Sequence, residues 1–329
     1  MKAIKILTMA ALATAVFASC SNDEDLAQSN YPMDNVVRIM TSVDGMNTRA
    51  SYGNSADKLK SFGFCIKNAN SEKYTYDNIK VSQKGYNWIP ATQMLWQNST
   101  TAVDILAYAP YQETTEDASG KVKVFGKTDY AFSVKEDQSN AEDYSSDLIV
   151  YKQTGFTPGT NLNTNQAVNV AFTHLLSQLN LTIELRDQFN QDEKKPVTSA
   201  TVTDVKVDGT FIRSKVNFAA DPISFLRDGQ ASAAITPETV AFKKADKTTD
   251  HATFKYSAIV IPQRVYAGQL CIKFKVDGTD YIWTGSDDAL FESGKKYELH
   301  LLVGKDVVQG GAISAKPWGD ETITEKETD

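Results

Sequence analysis

Val168-Asn169-Val170-Ala171-Phe172-Thr173-His174-Leu175-Leu176-Ser177-Gln178-Leu179-Asn180-Leu181-Thr182-Ile183-Glu184-Leu185 decides the fold class. Val168, Val170 and Phe172 point one way, as do Leu179, Leu181, Ile183 and Leu185 after a break. Asn180, Thr182 and Glu184 fall between them. Alternation of period two means a strand with one face buried and one wet, whereas a helix would need apolar spacings of three and four. The stretch reads as two strands joined by a short corner at His174–Gln178.

Short strands with turn chemistry flank it on both sides. Before it lie Phe62-Gly63-Phe64-Cys65-Ile66, Tyr86–Ile89, Met94–Trp96 and Val103–Tyr111. Lys121–Phe125 and Tyr130–Val134 read as a weaker pair, and Asp147–Tyr151 leads into a loop rich in Gly, Pro, Asn and Thr at Thr154–Asn165. After it, Thr201–Val207 ends at Asp208-Gly209 and Leu270–Val276 ends at Asp277-Gly278. Both dipeptides are tight-hairpin signals. Tyr281–Trp283 and Lys296–Val303 continue the pattern. Helical periods are almost absent. The reading is an all-β chain of two β-sandwiches: residues 50–187, a polar linker at 188–196, residues 197–318, and a polar tail at 319–329.

The chain has 329 residues, 41% of them apolar, so each half can bury a core. A formal net charge of −7 and the lack of any long Lys/Arg run argue against nucleic acid as a partner. Of three cysteines, Cys65 and Cys271 lie far apart and read as buried free thiols packed as small hydrophobes.

Residues 1–19 form an export signal. Lys2 and Lys5 precede an apolar run, Ile6–Phe17, that is too short to stay in a bilayer as a helix. Cys20 directly after Ala18-Ser19 reads as a lipoprotein acylation site rather than a plain cleavage site. Phe17 stands where Leu is usual. Acyl chains contribute about 0.8 kcal/mol per buried CH₂, and stable anchoring takes more than one chain, so a multiply acylated Cys20 is expected to hold the protein on the outer membrane. Within residues 20–49, Val36–Val43 is a β-prone segment with Val37, Ile39, Thr41 and Val43 on one face, ended by Asp44-Gly45. Arg49 follows in a polar loop with small neighbours. It reads either as a solvated loop residue or as a cut site for an arginine-specific protease, leaving Ala50 as the new terminus.

Catalytic chemistry finds little support. His174, His251 and His300 lie in unrelated contexts, and there is no Gly-x-Ser-x-Gly elbow or phosphate loop. Asp204…Asp208 and Asp246–Asp250 lack the glycine and glutamate spacing of a Ca²⁺ loop, so no metal and no cofactor is expected. Trp88, Trp96 and Trp283 could form a sugar-stacking platform, which would make the chain a non-polymerising glycan-binding surface lipoprotein; aromatics at strand positions also serve as core.

Several separated stretches resemble the fimbrillins, the pilins of Bacteroidales. Phe172–Leu179 is similar to their Phe-x-His-x-x-Ser/Ala-x-Leu signature. Trp96 followed by Val103–Pro110 is similar to their tryptophan-then-Ala-Tyr-x-Pro segment. Phe291–Tyr297 and Ile313…Trp318 resemble their carboxy-terminal signature, the acidic run Ser21–Asp25 resembles a Bacteroidetes surface-export signal, and Thr48-Arg49-Ala50 sits where these proteins are cleaved. The resemblance implies two transthyretin-like sandwiches and a pilus subunit without enzymatic activity. It implies cleavage after Arg49, loss of the strand carrying Val37, Ile39 and Val43, and filling of the vacated groove by a strand of another fimbrial subunit. Those three side chains would each contribute about 1.5–3 kcal/mol when buried. Host or bacterial surface glycans or proteins are further candidate partners. The short, polar segment after Trp318 leaves little to donate, which suits a tip subunit, a lipid-retaining anchor or a non-polymerising member.

Overall fold

Period-two alternation runs through most strands of the computed structural model, which describes residues 30–43, 58–113, 124–191, 195–226, 230–247, 250–311 and 313–318. In chain order the first strands are β1 (Arg38–Val43), β2 (Ser61–Lys67), β3 (Tyr76–Lys84), β4 (Asn87–Pro90), β5 (Val103–Ala109), β6 (Tyr130–Ser133), β7 (Ile149–Phe156), β8 (Ala167–His174) and β9 (Ser177–Leu185). There follow β10 (Val202–Asp208), β11 (Phe211–Asn217), β12 (Ser224–Phe225), β13 (Gln230–Ser232), β14 (Glu238–Lys243), β15 (Ala252–Val260) and β16 (Gln263–Val265). The last are β17 (Cys271–Val276), β18 (Thr279–Thr284), β19 (Ala289–Phe291), β20 (Lys295–Val303), β21 (Val308–Gly310) and β22 (Ser314–Pro317). The protein is all-β; the one α-helix among the described residues is a single turn, Pro158–Asn161.

Seven strands form one sheet in the order β1-β8-β7-β5-β2-β3-β4. Six form another, β14-β15-β9-β20-β21 with β22 also on β20. Smaller sheets join β10-β17-β18, β12-β11-β13 with β6 added to β11, and β16-β19. The quoted stretch divides between the two large sheets. β8 ends at His174 and β9 starts at Ser177, so the corner is Leu175–Leu176. Both strands were expected in one body ahead of the 188–196 linker. Instead β8 pairs with β1 and β7, while β9 lies between β15 and β20. Alternation reports which face is dry, not which sheet supplies the neighbours. Val168, Val170 and Phe172 enter one core, and Leu179, Leu181, Ile183 and Leu185 enter the other.

The run Phe62–Ile66 lacks polar positions because β2 is buried on both faces. Phe62, Phe64 and Ile66 face the core shared with β1 and β8, and Cys65 faces the other core. β5 divides likewise, with Ile105 and Ala107 on one side and Leu106 and Tyr108 on the other. Gly63 is required between them, since a Cβ there would meet the Tyr108 ring at 2.3 Å.

Two local expectations are corrected. Among the described residues, Tyr130–Ser133 finds its partner in the second half of the chain rather than at 124–125; residues 121–123 lie outside the described set. It pairs antiparallel with β11, from Arg213↔Ser133 to Val216↔Tyr130. That ladder ties the first half of the chain to the second, backed by close ring contacts among Tyr108, Tyr130 and Phe218. The hairpin expected at Asp208-Gly209 does not form either. Gly209 takes φ +90°, but β10 pairs with β17 while β11 leaves for another sheet. The dipeptide supplies the turn and does not choose the partner. Asp277-Gly278 does form a hairpin, with Val276 opposite Thr279.

Candidate functional site: a strand slot and a buried joint

β1 fills a slot. Asp34 Oδ1 accepts the Val36 amide at 3.1 Å, and its other oxygen pairs with Arg38 at 2.6 Å. That hydrogen-bonded ion pair, with the Val36 amide, holds the Asp34 carboxyl below its ordinary range. The chain then enters antiparallel to Met94–Trp96. Val36 bridges Leu95, the Val37 amide donates to Met94 O at 3.0 Å, and the Trp96 amide donates to Asn35 O at 2.8 Å. From Arg38 onward the strand pairs parallel with β8, in register from Arg38↔Ala167 to Val43↔Phe172. Alternation then sorts the side chains. Val37, Ile39 and Val43 are buried among Phe62, Trp96, Val168 and Phe172, while Met40 is exposed. Thr41, on the buried side, has a hydroxyl shut off from solvent with no hydrogen-bond partner. A cavity of ≈ 740 Å³ borders the outer edge of β1, with Tyr86–Pro90 across it. Cys20, Arg49 and Ala50 lie outside the described residues.

At the far end of β8, the quoted motifs converge on one joint. His174 Nδ1 lies 2.9 Å from Asp147 Oδ1, both side chains being inaccessible to water. The Trp318 indole stacks flat on the His174 ring, with centroids 4.1 Å apart and planes 4° from parallel. The Trp318 amide donates to Gly294 O at 3.1 Å, and the Gly294 amide donates to Leu176 O at 2.9 Å. Ser177 Oγ donates to Glu292 O and Ser293 Oγ to Leu175 O. Segments 172–179, 291–297 and 313–318, far apart in sequence, thus close one corner. Trp318 Nε1 and His174 Nε2 are both buried without partners.

The other candidates sort by their surroundings. Trp96 is buried and stacked on Phe156, and Trp88 packs edge-on to Phe62. Trp283 lies against Gly310, where a Cβ would meet its Nε1 at 2.1 Å. The three tryptophans therefore do not share one platform. His251 and His300 are not unrelated. Both reach Glu184, His251 through Nδ1 on one oxygen and His300 through Nε2 on the other at 2.6 Å. Sequence spacing gave no sign of this, because the three residues meet only when β15, β9 and β20 lie side by side. Asp204 and Asp208 pair with Lys275 and Lys273. Among the described residues no cluster of His, Cys, Asp or Glu is placed to hold a metal ion, and no helix is long and apolar enough to cross a membrane. Cys65 and Cys271 are free thiols, Cys65 buried and Cys271 half-buried.

Comparison with known proteins adds the family. The Fimbrillin-like family model matches residues 48–318. Among solved structures, the chain is similar to a candidate cell adhesion protein from Bacteroides uniformis at 20% identity and TM-score 0.55, covering 87% of this chain and 99% of that one. It is similar to another from Bacteroides ovatus at 13% identity and TM-score 0.60, covering 87% and 99%. A fimbrial protein from Bacteroides vulgatus aligns at 17% identity and TM-score 0.53, covering 86% and 99%. No curated protein matches. The family match spans the joint, the body of the slot and the carboxy-terminal strand alike, and the chain belongs to the fimbrillin-like family.

Proposed function

We propose that this chain is a fimbrial subunit, exported as a lipoprotein through Cys20 to the outer membrane and built into a cell-surface fimbrium by strand exchange. A protease cuts after Arg49, β1 leaves, and a strand of another fimbrial subunit takes its place on β8. The chain itself is a structural component and performs no catalysis. One observation carries the reading: Val36–Val43 is a short segment whose start pairs with Met94–Trp96 and whose remainder, β1, pairs with β8, and it contributes Val37, Ile39 and Val43 to a core it does not otherwise build. Its departure would open an apolar groove and the edge of β8, which a second strand can satisfy with backbone hydrogen bonds and alternate side chains. Parallel pairing, slightly weaker per residue than antiparallel, makes β1 a replaceable occupant.

Amino-terminal sequencing of the mature protein from cells tests this. A start at Ala50, with ladders of oligomers that an Arg49→Ala variant lacks, is expected. A mature chain that keeps Val36–Val43 within its fibres would overturn it.

A further inference from the structure

Resting on that reading, the slot itself indicates what kind of strand it prefers. Three of the four inward positions of Val37–Val43, which is β1 and the residue before it, are aliphatic: Val37, Ile39 and Val43. The fourth, Thr41, pairs in register with Val170 and is half-buried, and its hydroxyl oxygen is shut off from solvent with no hydrogen-bond partner in the protein. An unbonded buried hydroxyl loses its hydration without replacement, so threonine is a poorer fit here than a methyl-bearing residue of the same shape. The outward positions impose little. Arg38 is neutralised by Asp34, and Met40 is exposed.

We propose that the position of Thr41 determines specificity in strand exchange: β1 is a deliberately imperfect occupant, and the favoured partner strand carries valine or isoleucine there. The partner's chemistry follows: an extended segment with four inward aliphatic side chains at every second residue, which also offers backbone to Met94–Trp96 ahead of β8. Replacement of β1 then runs downhill because the hydroxyl leaves the core, with no other difference in contacts required.

The test uses the mature chain starting at Ala50 and a fluorescent peptide of residues 35–43, Asn-Val-Val-Arg-Ile-Met-Thr-Ser-Val. Unlabelled peptides of the native sequence and of its Thr41→Val variant compete for the slot. The valine peptide is expected to bind about tenfold more tightly, equivalent to about 1.4 kcal/mol. Equal or weaker binding by the valine peptide, with the native peptide binding normally, overturns the specificity inference and leaves strand release intact. Binding by neither peptide overturns strand release and the inference with it. The uncut chain gives a second measurement that does not require β1 to leave. Thr41→Val should raise its urea midpoint, whereas a lowered midpoint would show that the hydroxyl is bonded and that the inference is wrong.

Discussion

Trp318→Ala and Trp318→Phe, compared side by side, test the account of the joint. Trp318 is 4% exposed and stacks on His174 at 4.1 Å. Truncating a buried tryptophan to alanine typically costs about 3–5 kcal/mol, with the ring stack supplying about 0.5–1.5 kcal/mol beyond area. The indole N–H complicates the sum. It is buried without an acceptor, a burden of about 1–3 kcal/mol that both variants remove. Trp318→Ala should therefore destabilise by about 2–3 kcal/mol. Trp318→Phe keeps an aromatic face over the imidazole, loses some volume and sheds the orphaned donor, so its net cost should be about 1 kcal/mol or less. Urea unfolding followed by circular dichroism gives both values, and hydrogen exchange of Ser314–Pro317 reports whether β22 loosens first. The reasoning is refuted if phenylalanine costs as much as alanine, which would mean that the indole N–H is bonded after all. An alanine cost near zero would refute the joint itself.

Two further outcomes follow from buried titratable groups. Burial pushes the Tyr256 phenol up to about 12 and raises Tyr108 and Tyr130 as well, against about 10 in an unfolded chain. The fold thus favours the neutral phenols, so their stabilising effect is complete below pH ~10 and is lost as pH climbs through the raised values. Phenolate absorbance should show these tyrosines ionising together with unfolding; a titration of every tyrosine near pH ~10 with an unchanged circular dichroism spectrum would contradict this. Burial, with the Asp77 charge beside it, likewise pushes the Cys65 thiol well up, while Cys271 is half-exposed. In a chain starting at Ala50, an aromatic disulfide reagent should modify Cys271 quickly and Cys65 only after denaturation; equal rates for the two would show that the core around Cys65 is open.

Local chemistry in the sequence reached as far as the element and stopped at its partner. The alternation of Val168–Leu185, the side-chain sorting of Val36–Val43 and the Asp277-Gly278 hairpin could all be read because each depends on residues within a few positions. The assignment of β9 to the six-stranded sheet could not, since its neighbours β15 and β20 come from far along the chain. Asp208-Gly209 shows the same limit: the turn was visible, the crossing to β6 was not. The site divides in the same way. Val37, Ile39 and Val43 were legible as a buried face. His174, Gly294 and Trp318 were visible only as marks of a family, and their meeting at one corner explains why a flat imidazole, a residue with φ +68° and an indole stand at those places. The convergence of His251 and His300 on Glu184 had no signal at all.

The corner Leu175–Leu176 also has a mechanical meaning. Only these two residues separate β8, which lines the slot, from β9, a middle strand of the other large sheet. β9 is laddered along its whole length to β15 on one side and along most of it to β20 on the other. A pull along the axis of β9 would load those rungs in shear so that they must yield together. A peeling force would take them one at a time. A chain wired this way resists a pull along β9 without unravelling at the seam.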